Sequence, residues 1–108
     1  MEPQILPFVA VTSAGKAYDI EFPLHPQTRS AVVVSTLVTA LLDAISKHTE
    51  GDADISDGDV LQALSMTRAI RARMIDAEPG QIDALNQRVH ESAWTAVQSA
   101  TGYAAARA

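Results

Sequence analysis

Cysteine is absent from all 108 residues, which excludes disulfides, thiolate nucleophiles and cysteine-ligated zinc or iron–sulfur centres together. Aromatic residues make up only 5% of the chain, so any core must be aliphatic, built from Ala, Val, Leu and Ile. Such a core suits closely packed helices better than an aromatic-walled pocket. Glycine is sparse: Gly15, Gly51, Gly58, Gly80 and Gly102 stand singly, and no glycine-rich run leads from a strand into a helix. The common phosphate loops are therefore missing, and no nucleotide cofactor is expected. Unbroken apolar runs are short, far below the ~20 residues of a membrane helix, which predicts no membrane partner. Met1-Glu2-Pro3 carries neither a basic segment nor an apolar one, so no signal peptide is expected and the default location is cytoplasmic.

Positive charge is also scarce. Lys and Arg total 8 against 13 Asp and Glu, a formal net charge of −5. Nucleic-acid affinity comes largely from neutralising phosphates, so this balance argues against a nucleic-acid partner.

What is present is the composition of one globular domain, with 47% hydrophobic and 19% charged residues. A chain of this length should bury roughly 65% of its unfolded surface. The pattern predicts an α+β fold, mainly α with a small β part: an N-terminal β-hairpin followed by three antiparallel amphipathic helices in a single domain, 1–108. Tyr18, Ile20, Phe22 and Leu24 alternate with Ala17, Asp19, Glu21 and Pro23, the period of a half-buried strand. Phe8 to Thr12 is rich in strand formers, and Ser13-Ala14-Gly15-Lys16 supplies the turn, giving a hairpin over about 8–24. Pro7 and Pro23 are expected to bracket it, since neither can donate to a ladder.

The first helix is expected over about 28–49, with Thr28 as N-cap and Val34, Leu37, Val38, Leu41, Ile45 and His48 in one stripe. Gly51 should end it. Ser56 and Asp59 have the spacing of a capping box, with Ile55 and Val60 as its hydrophobic staple, so a second helix is expected over about 56–77. Its inward residues would be Val60, Leu64, Thr67, Ile70, Met74 and Ile75. Pro79 suits a first helical position, and the third helix is expected over about 79–105. Its stripe is Ile82, Leu85, Val89, Ala93, Ala96, Val97, Ala100 and Tyr103, with Ala93, Ala96, Ala100 and Ala104 forming a small-residue seam. From Gly80 to Ala104 it would extend ~37 Å, too long for a compact domain of ~13 Å radius of gyration.

No catalytic or metal-ligating set emerges. Asp52, Asp54, Ser56, Asp57 and Gly58 have the alternating oxygens of a calcium loop, but Asp57 stands where the EF-hand needs Gly and Ala63 where it needs Glu. A solvated, capping loop explains them better. His25, His48 and His90 fall on different elements with no i, i+4 pair, and no Gly-x-Ser-x-Gly elbow is present. The residues thus lean away from an enzyme without deciding the question.

The unexplained residues are Arg71, Arg68 and Trp94. At about 100° per residue, Arg71 projects from the middle of the second helix's apolar stripe, Arg68 flanks it, and Arg73 points away. Arg71 and Arg68 are thus candidate contacts for an anion or a partner carboxylate, although a packed stem with its head in solvent is the simpler reading. Trp94 sits off the stripe of the third helix beside His90 and Thr101, so Trp94, His90 and Tyr103 are candidate interface residues. Val32 and Met66 also lie outside their stripes.

The leading functional expectation is a self-associating protein-interaction module, a homodimer being the commonest such form. The alternative is a small-molecule or anion-binding protein, a minor enzyme included, using Arg71 in a cleft between hairpin and helices. DNA regulation comes last, because Asp83, Arg88, Glu91 and Arg107 leave the third helix balanced rather than basic.

Overall fold

The computed structural model describes residues 4–12, 14–51 and 54–104. Ser13 of the expected turn, Asp52 of the acidic loop and Arg107 lie outside them. The architecture is α+β, as the pattern predicts. The element order is β1 (Ile5–Val11), β2 (Lys16–Pro23), α1 (Ala31–Thr49), α2 (Asp57–Arg73), α3 (Pro79–Ser99) and β3 (Thr101–Ala104). The chain divides into two units, residues 1–35 with 87–108, and residues 36–86.

The first unit is organised by an antiparallel sheet of order β1-β2-β3. Gly15 makes the β1–β2 turn at φ 82°, a conformation open to glycine at little cost. Thr12 closes that turn, donating from N to Lys16 O at 2.8 Å and accepting from Lys16 N through Oγ1 at 3.1 Å. Phe8 pairs with Ile20, Leu6 with Phe22 and Ala10 with Tyr18, which puts one apolar row on one face. Val9 opposite Asp19 and Pro7 opposite Glu21 belong to the other face.

Two expectations about this sheet need correction. The hairpin starts at Ile5, so Pro7 lies inside β1 rather than before it. It is tolerated because β1 is an edge strand. Thr12 N donates to Lys16 O and Leu24 N to Gln4 O, so hydrogen-bonded pairs fall on even-numbered residues of β1. The nitrogen of Pro7 therefore faces the free edge, where it removes one donor.

The larger correction concerns the C-terminus. α3 stops at Ser99, and Thr101–Ala104 returns as β3 against β2, with Ala17 opposite Tyr103 and Tyr18 opposite Gly102. The helix of 79–105 is thus not formed, and its excessive length disappears with it. The causes are local. Ala100 N bonds to Val97 O, tightening the last turn, and β-branched Thr101, Gly102 and aromatic Tyr103 favour strand over helix. A third strand also supports a hairpin that would be marginal alone.

The helix ends follow their caps. α1 begins after Ser30, whose Oγ accepts from Val33 N at 3.2 Å, and not after Thr28. Thr28 instead closes a turn, donating from N to His25 O at 2.9 Å across Pro26 and Gln27. Gly51, at φ 77°, follows the end of α1 as expected.

In the second unit, Ser56 and Asp59 form the expected capping box, with reciprocal bonds of 3.1 and 3.2 Å. α2 ends at Arg73 with Met74 as C-cap, short of the expected Ala77, so Met74 and Ile75 lie beyond the helix. α3 starts at Pro79 as expected, but its cap is an unforeseen one. The two carboxylate oxygens of Glu78 accept from Gly80 N at 3.1 Å and Gln81 N at 3.0 Å.

The expectation of inward apolar stripes fails in a more consequential way. Among the described residues only Ala17 and Ile20 are buried, both on β2, and no described residue of α1, α2 or α3 is. Local patterning forms each helix. Among the described stripe residues, Val34, Val38, Ile45, Val60, Ile82 and Leu85 are half-buried and Leu37, Leu41, Leu64 and Ile70 are exposed.

Candidate interaction surface

The exposed apolar residues are large and numerous. On α1 they include Val32, Val33, Leu37, Leu41 and Leu42, and on α2 Leu61, Leu64, Met66 and Ile70. Met74 just past α2 is 70% exposed, more than scattered single surface residues would account for. α1 is also long and apolar enough to cross a membrane by length and composition, although Asp43 and Lys47 lie within it. Its unbroken apolar runs are short because Ser35, Thr36, Thr39, Asp43 and Ser46 interrupt them.

Within the second unit, the last turns of α1 and the first turns of α2 line an open groove of about 450 Å³. Leu41, Ala44 and Ile45 form one wall; Ile55, Val60, Ala63 and Leu64 form the other. His48 and Asp59 are its ionisable lining residues. A second, smaller concavity of about 240 Å³ lies among Ala69, Ala72, Ile75 and Ile82.

Within the first unit, a cleft of about 760 Å³ lies between β2 and the second half of α3. Its lining is mixed: Asp19 and Glu21 come from the sheet, Arg88, Glu91, Ser92 and Thr95 from the helix, with Pro23, Ala96 and Ala100 between them. Among the described residues no group of three or more His, Asp or Glu is placed to hold a metal ion.

The structure separates the candidate residues. Arg68 is half-buried and structural in its contacts. Its Nε donates to Asn86 Oδ1 at 3.2 Å, and its Nη2 donates to the Asn86 carbonyl, tying α2 to α3 inside the second unit. Arg71 is exposed in the last turn of α2, lines none of these three concavities, and its side chain has no hydrogen-bond or ion-pair partner among the described residues. Trp94 is 56% exposed, and His90 is exposed nearby on the same side of α3. Helical geometry points both away from the side that lines the cleft against β2.

Tyr103 lies on β3, not on a helix. Its hydroxyl donates to Asp19 Oδ1 at 3.0 Å. That hydrogen bond, with smaller contributions from burial and from the carboxylate's charge, raises the phenol above its ordinary pKa.

Sequence reasoning missed Gly102, Asp19, Asn86 and Glu78 as positioning residues. Gly102 had a readable signal: a lone glycine in a helical pattern, next to β-branched and aromatic residues. The other three act through partners that only folding brings near.

The chain matches no family model, no curated protein and no solved structure.

Proposed function

We propose that this chain is a non-enzymatic module that works by self-association, its helical surface completed by another copy. One observation carries the reading: apart from Ala17 and Ile20, no described residue is buried, although 47% of the sequence is hydrophobic. The large apolar side chains left exposed include Val32, Leu37 and Leu41 on α1 and Leu61, Met66 and Ile70 on α2, a surface that association with another copy would cover. Burying apolar surface is the main driving force of such association, at about 25 cal/mol per Å² before its costs. A two-fold homodimer is the simplest closed assembly.

The overlong third helix no longer contributes, while the exposed apolar residues of α1 and α2 contribute more. The small-molecule reading draws no support from Arg71, which lines none of the three concavities described above. A membrane role has one observation in its favour, the composition of α1. It leaves exposed Leu61, Met66 and Ile70 of α2 unexplained.

Light scattering across micromolar concentrations tests the proposal. The expected mass is a multiple of 11.5 kDa, with a thermal midpoint that rises with protein concentration. A folded chain of single mass throughout would overturn it.

A further inference from the structure

We infer that the cleft between β2 and α3 binds a small molecule carrying two amines and one carboxylate, the chemistry of a free basic amino acid. The site goes beyond self-association and does not depend on it, since it lies wholly within the first unit. α3 contributes one helical face, with Arg88, Glu91, Ser92, Thr95, Ala96 and Ser99 at the spacing of successive turns. β2 contributes Asp19, Glu21 and Pro23, alternate residues of one strand face. Ser92, Ala96 and Ala100 are half-buried, while the four charged residues are exposed. The volume of about 760 Å³ falls in the range of small-molecule sites.

Charge selects the ligand. Asp19, Glu21 and Glu91 set three carboxylates against the single guanidinium of Arg88. The side chains of Arg88, Glu21 and Glu91 have no hydrogen-bond or ion-pair partner among the described residues, and Asp19 is engaged by Tyr103. The cleft thus holds both signs of charge without pairing them internally. Its excess is negative, which repels phosphates and attracts amines. Among the described residues no three His, Asp or Glu converge as a metal ion needs. The charges are instead spread along the cleft. Asp19 pairs with Thr101 across the β2–β3 ladder, just past Ser99, whereas Arg88 lies three turns back, about 16 Å along the helix. An extended organic cation suits that spacing better than a compact ion. No aromatic residue lines the cleft, so a flat ring has nothing to stack on. Arg88 supplies the one group fitted to a carboxylate, a planar fork that can donate two parallel hydrogen bonds.

Calorimetric titration at low ionic strength tests this with L-lysine and with cadaverine, which is lysine without its carboxylate. Lysine should bind once per chain and more tightly than cadaverine. Arg88→Met should weaken lysine about tenfold and leave cadaverine unchanged, because only lysine loses a partner. Glu91→Gln should weaken both. Arg71→Met, outside the cleft, should change neither. In the wild type, lysine should shift the amide resonances of Ser92, Thr95 and Thr101, all of which line the cleft. That measurement and the comparison of the two ligands need no variant, so they decide even if a substitution unfolds the chain. Absence of lysine binding at millimolar concentration overturns the site. Lysine binding undiminished in Arg88→Met, or shifts confined to α1 and α2, overturns it equally. Cadaverine bound as tightly as lysine overturns the proposed class in favour of simple amines.

Discussion

The phenol of Tyr103 donates a hydrogen bond to Asp19 Oδ1 at 3.0 Å, joining residues 84 positions apart. Tyr103 faces Ala17 across the β2–β3 ladder, so Asp19 is its diagonal neighbour on the same face. The bond helps hold the C-terminal strand on the hairpin, and it fixes the pH range in which it does so. A phenol whose pKa is raised on folding contributes stability in full below its unfolded value of 10.0, and loses it as pH rises through the higher folded value. β3 should therefore stay docked from neutral to mildly alkaline pH and loosen above about pH 10. Amide exchange of residues 101–104 reports this directly. Tyr103→Phe should speed that exchange at neutral pH and remove the alkaline step. An unchanged step in Tyr103→Phe would assign it to another group.

Gly102 makes the second prediction. A Cβ built there would stand 2.7 Å from Lys16 Cε and 3.0 Å from Tyr18 Cε1. Lys16 Nζ lies 5.4 Å from the centroid of the Tyr18 ring, so the added methyl would intrude on that cation–π pair. The lysine can swing away cheaply; the ring, held opposite Gly102 by register, moves less easily. Alanine normally gains about 0.5–1 kcal/mol over glycine in a strand by reducing chain entropy. Here crowding should outweigh that gain and leave Gly102→Ala about 1 kcal/mol less stable. Chemical denaturation checks the sign, and Tyr18 ring shifts should report the displaced lysine.

The two neighbouring arginines should behave oppositely. Arg68→Met removes the donors to Asn86 Oδ1 and to its carbonyl at a half-buried site, and should cost about 1–3 kcal/mol. Arg71→Met, at an exposed position without a side-chain partner among the described residues, should change monomer stability by less than about 0.5 kcal/mol. Denaturation at low protein concentration separates these effects from association. Equal losses at both positions would give Arg71 a structural role.

Much of the fold was legible because it depends on neighbours in sequence. The alternation of Tyr18, Ile20 and Phe22, the positive φ at Gly15 and Gly51, the Ser56–Asp59 capping box and the Pro79 start are all local, and each is realised. The failures were equally physical. Thr28 and Ser30 are both good caps, and the turn from His25 through Pro26 decides between them. Glu78 is a weak cap by propensity, yet both its oxygens find amides. The candidate surface was legible in its ingredients, since the stripe residues Leu37, Leu41, Leu64 and Ile70 are the apolar residues found exposed. Its place was not, because a stripe reads alike whether its own chain or another covers it.

The overlong third helix marks the division between the two kinds of information. The sequence by itself determined where strands and helices nucleate, because caps, turns and periodicity act over a few residues. Only the tertiary structure decided that Thr101–Ala104 leaves the helix for the edge of β2, since that choice rests on a partner more than 80 residues away. It also decided that no described residue of α1 or α2 is buried. Burial is a property of what surrounds a side chain, and periodicity specifies only which side chains need surrounding.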